Sequence, residues 1–234
     1  GLFGFFRRFR YKFTIFGIKF EFLHMRSLII SIISLFFLLL VGPVNGQYFN
    51  GGIMAGVAGT QVAGDTYSGF HKAGIYAGGF VNLQISQRSI FQLELEFFQK
   101  GSRKNPNYEN DDLEQYLFRV NYVEMPVLYQ YVVNERLKLE VGPSLGFLTG
   151  YYEEKNSEEI KAGNRPARVT LQINAGMYVS ITRRLMFNLR TNNSLLNIRS
   201  DNATGDVLRI IPGNYGQFND GLVMSIAYQF RDAW

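Results

Sequence analysis

The chain has 234 residues, with 24 Lys and Arg, 19 Asp and Glu, and no Cys. The lack of Cys excludes disulfides, Cys-ligated zinc and thiol chemistry. Residues 1–46 hold six of the basic residues and one of the acidic residues, so the remaining chain has 18 of each and a net charge near zero. The basic isoelectric point therefore comes from the N-terminal part, and the charge gives no argument for nucleic-acid binding.

Aromatic and basic residues alternate over residues 1–24, where Glu21 is the one acid. The sequence opens with Gly1 rather than Met, and a complete start signal follows at Met25. We interpret residues 1–24 as an upstream extension, which comes from a start site assigned too early or from translation of an open reading frame. The alternative is a basic amphipathic arm that binds a membrane surface.

Residues 25–46 have the pattern of a secretory signal peptide. A Met-Arg start precedes an apolar run over residues 28–41, which is broken only by two Ser residues. This run has fourteen residues, whereas a membrane-spanning helix needs about 20. A Gly-Pro step ends the run, and the pattern predicts cleavage between Gly46 and Gln47. A buried core helix is the alternative interpretation of the same run.

The rest of the chain, residues 47–234, alternates apolar and polar residues with a period of two. In residues 169–181 the apolar side chains occupy the odd positions and most polar side chains the even positions. This period is typical of strands that have one apolar and one polar face. The pattern predicts eight strands, at about 51–62, 69–85, 89–100, 114–133, 137–150, 166–181, 185–199 and 220–230.

The fourth predicted strand, 114–133, contains a change of parity. Arg119 stands at an odd position, whereas Glu124 stands at an even one. A β-bulge near residues 121–124 would allow both to face the same side. Pro126 removes one hydrogen bond from the ladder.

The connections between the predicted strands alternate in length. The short ones are 86–88, 134–136 and 182–184, and the long ones are about 63–68, 101–113, 151–165 and 200–219. This alternation predicts an all-β fold, an eight-stranded antiparallel up-and-down transmembrane β-barrel of the outer membrane. A periplasmic N-terminus would place the short turns in the periplasm and the long loops outside. A soluble lipocalin-like barrel is the alternative, but it would place charged and apolar faces in the wrong media.

The charged residues on the polar strand faces predict a network inside the barrel. Its expected members are Glu94, Glu96, Glu124, Glu140, Lys138, Arg119, Arg168 and Arg190. One interpretation is a path for protons or cations. The alternative is a paired, structural network, because the interior of an eight-stranded barrel is just filled by side chains and buried charges require partners.

Other candidate sites are weaker. His71 is the only His after the signal peptide, and Ser68 and Asp65 are the residue types that would assist it in catalysis. A residue at the barrel rim is the simpler interpretation of His71. The Gly-rich segment 51–60 lacks the Lys-Ser step of a phosphate loop, and no acidic segment has the spacing of a calcium loop. The sequence therefore predicts no cofactor and no metal.

Five stretches carry a resemblance to a known family, and they cover most of residues 47–234. They are 69–86, 91–101, 122–131, 139–148 and 221–230, and the most specific steps are Glu124-Met125-Pro126 and the Gly-Pro-x-x-Gly over 142–146. In these stretches the sequence resembles the PorT-like outer-membrane β-barrel proteins of Bacteroidota. Members of this family usually end on an aromatic residue that the barrel-assembly machinery reads. Phe230 and Trp234 share one parity, so either fits this assembly signal.

The resemblance implies an integral protein in the outer membrane of a Gram-negative bacterium, with lipid and the barrel-assembly machinery as partners. It also implies a structural or interaction role rather than an enzymatic one. The family's namesake is associated with the type IX secretion apparatus and gliding, so secretion-system or surface proteins are expected partners. A narrow transporter or channel is the alternative, and a lipid-modifying enzyme is a third hypothesis.

Overall fold

The structure is a computed structural model, and it describes residues 49–65, 67, 69–108, 111–160, 165–199 and 216–231. The predicted extension, the predicted signal peptide, Ser68 and Trp234 lie outside the described residues. Within the described part of the chain, no helix has the length and apolar character needed to cross a bilayer.

The described residues form nine strands in one closed antiparallel sheet. The strands are β1 (Phe49–Ala63), β2 (Lys72–Ser86), β3 (Ser89–Lys104), β4 (Tyr116–Val132), β5 (Leu137–Lys155), β6 (Glu158–Glu159), β7 (Val169–Ser180), β8 (Leu185–Ser194) and β9 (Phe218–Gln229). Each long strand pairs with the next long strand, and β9 pairs with β1, which closes the sheet. The two-residue strand β6 pairs only with the end of β5. The predicted eight-stranded antiparallel barrel is therefore confirmed.

The side chains alternate between the barrel interior and the outer wall. On β5, Lys138 and Glu140 are buried, whereas Leu139 and Val141 are 47% and 49% exposed. On this strand polar residues thus lie inside and apolar residues outside, which is the reverse of a lipocalin-like barrel in water. Lipid offers no hydrogen bonds, so a sheet in a membrane must close to satisfy its backbone groups.

The predicted bulge on β4 was wrong. β4 keeps one parity along its whole length and pairs with β3 without a shift. The shift lies between β4 and β5, where Asn121 pairs with Gly150 and Tyr122 with Leu148, so the extra residue is on β5. Arg119 consequently faces outward and is exposed. No parity change is needed on β4, because above the apolar belt the outer wall also tolerates polar side chains.

The short turns follow β2, β4 and β7, and all three lie at one end of the barrel, the short-turn end. In the turn after β4, the Asn134 side chain accepts hydrogen bonds from the backbone N–H groups of Arg136 and Leu137, both at 2.9 Å. Thr182 makes an equivalent bond of 3.0 Å to the N–H of Leu185. These side chains take the place of ladder bonds where the chain reverses. The longer connections lie at the opposite end, the long-loop end.

The apolar outer wall predicts that an inserted charge lowers the free energy of unfolding by an amount that depends on its depth in the membrane. Val141 lies in the middle of the apolar stretch of β5, and Thr149 lies on the same strand beyond that stretch and is exposed. We expect Val141→Arg to reduce the free energy of unfolding by about 2–4 kcal/mol, because it places a charge near the bilayer midplane, and Thr149→Arg by about 0–1 kcal/mol. Urea unfolding in lipid vesicles measures both. Equal costs would contradict the assigned position of the belt.

Candidate functional site

Arg190 is the centre of the interior network. It extends from β8 towards β3 on the opposite side of the barrel, and its side chain is 1% exposed. Its Nη1 and Nη2 atoms donate to the two oxygens of Glu94 at 2.6 and 2.8 Å. Its Nε and Nη2 atoms donate to the oxygens of Glu140 on β5 at 2.8 and 3.1 Å. One guanidinium group therefore joins three strands through two paired carboxylates, the geometry that stabilises a buried Arg.

Glu96 lies beside this centre but is held less firmly. Its Oε2 atom accepts a short hydrogen bond from the Tyr76 hydroxyl and lies 3.4 Å from Nη1 of Arg190. Its Oε1 atom is buried and has no hydrogen-bond partner among the described residues. Glu94 and Glu96 are two residues apart on one strand face, so their charges repel each other. Glu96 is thus the least compensated carboxylate of the network.

A second polar group lies next to Arg190, towards the long-loop end. Lys100 donates to Glu124 at 2.5 Å and to Asn192 at 2.6 Å, and both charged side chains are fully buried. Asn192 donates in turn to the second oxygen of Glu124 at 3.0 Å. Gln172 also donates to Glu124, at 3.2 Å. Strands β3, β4, β7 and β8 are therefore joined at this level across the interior.

An apolar layer fills the interior above these polar layers. Its members are buried side chains: Val62, Tyr116, Phe118, Val120, Tyr122 and Ile198. Glu153 and Arg199 form an ion pair beside it, with Nη2 of Arg199 at 2.6 Å from Oε2 of Glu153, and Tyr116 donates to Glu153 at 2.6 Å. We call this layer, together with the Glu153–Arg199 pair, the outer plug. Its members are buried side chains that occupy the described part of the interior at the long-loop end.

The structure places six of the eight expected network residues inside. They are Glu94, Glu96, Glu124, Glu140, Lys138 and Arg190, all 4% exposed or less. The other two expectations were wrong, because Arg119 and Arg168 are exposed. Lys100, the partner of Glu124, is not among the residues predicted from the sequence. Lys100 has the same parity as Glu94 and Glu96, so the alternation of β3 itself could have identified it.

His71 lies on the outside of the barrel. It lines a groove of about 430 Å³ together with Phe70, Val57 and Met224. No hydrogen bond joins His71 to Asp65 in the described part of the chain, where Asp65 instead accepts from the backbone N–H of Tyr67 at 2.9 Å. The described residues also contain no group of three His, Asp or Glu side chains placed to hold a metal. The geometry around His71 is that of a rim residue.

Glu114 joins two connections and the ends of two strands at the long-loop end. It accepts from the Tyr67 hydroxyl at 2.8 Å and forms ion pairs with Lys104 at 2.8 Å and Lys155 at 2.7 Å. Lys104 also pairs with Asp112 at 2.8 Å. Hydrogen bonds from Lys104, Lys155 and Tyr67 lower the pKa of Glu114 to about 2. We call these five residues the loop brace, because they link the β1–β2 and β3–β4 connections to the end of β5.

Comparison with known proteins gives the family. Residues 44–200 match the family model described as the outer membrane protein beta-barrel domain. The chain belongs to this family. It is an outer-membrane β-barrel protein, in agreement with the closed sheet and its apolar outer wall.

Solved structures similar to this outer-membrane barrel share little sequence with it. Ail, the attachment invasion locus protein of Yersinia pestis, has 11% identity and a TM-score of 0.47, over 77% of this chain and 98% of that chain. Neisserial surface protein A has 10% identity and a TM-score of 0.49, over 80% and 100% of the two chains. Likeness at this level carries no argument about function. No curated protein matches the sequence.

The interior geometry predicts unequal effects for two neighbouring carboxylates. Glu94→Gln breaks the two-bond pair with Arg190 and leaves a buried charge less compensated, so we expect the free energy of unfolding to fall by about 3–5 kcal/mol. Glu96→Gln removes only a 3.4 Å contact and relieves repulsion from Glu94, so we expect a change below about 1 kcal/mol. Urea unfolding in vesicles, followed by circular dichroism, compares the two. A larger cost for Glu96→Gln would contradict the assigned pairing.

The loop brace predicts a pH dependence at the long-loop end. The pKa of Glu114 is lowered from 4.5 to about 2, so its carboxylate stabilises the fold above about pH 4.5. This contribution is lost as the pH falls towards 2. Carbon-13 NMR of the carboxyl groups in nanodiscs should show Glu114 titrating near pH 2. Titration of Glu114 near the ordinary glutamate value of about 4.3 would show that the brace does not form.

Proposed function

We propose that this outer-membrane barrel has a structural or interaction role that its long loops perform. The observation that carries the proposal is the filled interior. Arg190, Lys100 and the outer plug occupy successive levels of the barrel, and the side chains of Arg190, Lys100 and Phe118 are at most 1% exposed. An eight-stranded barrel has room for its own side chains but not for a water-filled channel. The surface that remains for function is the outside.

The long-loop end has features of a protein-binding surface. Tyr108 and Leu113 lie in the β3–β4 connection and are 79% and 62% exposed. Asn107, which precedes Tyr108, and Asp112, which precedes Leu113, form a two-way backbone bridge of 2.7 and 3.1 Å. The loop brace fixes the base of this connection. A braced loop loses little conformational entropy on binding, and exposed Tyr side chains are frequent anchors of protein interfaces.

The partner class in our proposal follows from the resemblance to PorT-like proteins. It is a component of a secretion or surface-assembly machine, for which the barrel would serve as an accessory. The proposal includes cleavage of a signal peptide before Gln47, which places the long loops outside the cell. It also includes recognition of a terminal aromatic by the barrel-assembly machinery. Phe230 is 55% exposed on the outer wall, and Trp234 lies outside the described residues.

A narrow channel or transporter is the second candidate function. The observation in its favour is the continuous run of charged and amide groups between Glu94 and Asn192 inside the barrel. A lipid-modifying enzyme is the third, with His71 as its candidate residue, but the described residues bring no acid–base partner to His71. Proton or solute passage through the interior would require the outer plug to open.

Planar-bilayer recording of the refolded mature chain separates the first two functions. We expect no steady unitary conductance from the wild type, because the outer plug closes the interior. The Phe118→Ala/Tyr122→Ala variant removes two side chains of the outer plug. It is the positive control, because it shows whether the recording detects an opened interior. Stable conductance of the wild type would favour the transporter.

The interaction role itself is tested by photo-crosslinking in intact cells. A crosslinking amino acid at Tyr108 should capture a defined envelope protein, whereas the same amino acid at Asn134, in a short turn, should not. Identical products from both positions, or none from Tyr108, would count against the role of the loops.

A further inference from the structure

The outer wall formed by β3, β4 and β5 changes from apolar to polar side chains along one line. Phe97, Val123 and Phe147 pair in register and form the last apolar row of the wall. Two residues further on, Gln99 lies opposite Asn121 and donates to its side chain at 3.2 Å. An amide pair on the outside of a barrel belongs at the boundary between hydrocarbon and headgroups. The membrane interface at the long-loop end therefore crosses these strands near Gln99 and Asn121.

Two arginines lie just beyond this boundary. Arg119 is two residues past Asn121 on β4, and it lies opposite Gly101 on β3. Arg103 is the diagonal neighbour of Arg119, at about 7–8 Å in an antiparallel sheet. Gly101 stands between Gln99 and Arg103 on β3 and has no side chain to occupy the space beside Arg119. Both arginines are exposed.

The height of Arg119 places it among the lipid headgroups. Two residues of strand separate it from Asn121 at the boundary, which corresponds to about 7 Å along the strand. At a strand tilt of about 45° this is about 5 Å along the membrane normal. Hydrocarbon of about 30 Å and a total bilayer thickness of about 40–45 Å leave a headgroup layer of about 5–8 Å on each side. The long side chains of both arginines also reach several ångströms towards the lipid or the water.

Neither arginine has a protein partner in the part of the chain that the structure describes. Glu154 lies opposite Leu117 on this wall and accepts from the Tyr152 hydroxyl at 2.8 Å, and among the described residues it forms no ion pair with either arginine. The basic residues of the loop brace, Lys104 and Lys155, are by contrast both paired. Two neighbouring arginines that form no ion pair with the described residues, at headgroup height, offer the charge and the paired donors that suit a phosphate.

We propose that Arg103 and Arg119 bind a phosphate of a phosphorylated glycolipid in the outer leaflet. Outer-membrane barrels place their long loops outside, and the leaflet on that side consists largely of lipid A, an acylated and phosphorylated sugar. Its acyl chains lie along Phe97, Val123 and Phe147. The amides of Gln99 and Asn121 lie at the level of its sugar. This site is independent of the protein partner proposed above.

Native mass spectrometry of the refolded barrel in detergent tests the site with two probes. These are lipid A that carries its phosphates and the same lipid A after phosphatase treatment. We expect the wild type to bind the phosphorylated form at least about tenfold more tightly, since a charge-assisted contact is worth about that factor. The Arg103→Gln/Arg119→Gln variant should lose this preference. The matched control is Arg136→Gln, which removes an exposed arginine at the short-turn end and should retain it.

Four results would overturn the proposal. They are equal binding of both lipids by the wild type, an unchanged preference in the double variant, an equal loss in Arg136→Gln, and equally tight binding of phosphatidylglycerol. The first and the last use only the wild type, so they hold even if the double variant does not fold. Heat-modifiable mobility on a gel shows whether each variant forms the barrel. Loss of glycolipid binding with unchanged crosslinking from Tyr108 would separate this site from the proposed function.

Discussion

The structure depends on one constraint, which is that lipid cannot hydrogen bond to the backbone. A sheet in the membrane must therefore close, and pairing of β1 with β9 does this. Closure with eight strands fixes the interior at a width that side chains fill. Every second residue of each strand must enter that space, and the outer residues must suit lipid. The alternation in the sequence, the polar interior and the filled lumen all follow from this single requirement.

In the interior, buried charged groups are paired by side chains from strands that are not neighbours. Arg190 on β8 reaches Glu94 on β3, and Lys100 on β3 reaches Asn192 on β8. These contacts run in both directions across the barrel, so they couple opposite walls that share no backbone hydrogen bonds. A buried pair of this kind adds little net stability compared with apolar packing, but breaking it is costly. The network therefore specifies how the walls sit together more than it stabilises them.

The sequence was sufficient for the fold, because the period of two holds over long stretches and the turns differ in length. It was sufficient for the inward residues in the middle of the strands, such as Glu140. It failed at Arg119, since parity separates the faces only where lipid penalises polar groups. Beyond the last apolar row both faces are wet, and a charged residue gives no sign of its direction. The bulge on β5 was not predicted for the same reason, because Thr149 and Gly150 carry no strong apolar or charged signal.

Parity did not predict the direction of Arg119, and the outer wall at the height of this residue is also where we propose a ligand-binding site. A charge inside the barrel must be paired by the protein, and Arg190 is paired twice. A charge in the apolar belt would be costly, and none of the residues of the row Phe97–Val123–Phe147 is charged. A charged side chain at headgroup height can instead pair with the lipids, because the membrane itself supplies anions. Arg103 and Arg119 need no protein partner there, whereas Lys104, which pairs with two acids of the loop brace, is occupied in holding the loops. The same residue type thus serves the interior as a structural bridge and the outer wall as a ligand-binding group, and its height along the strand decides which.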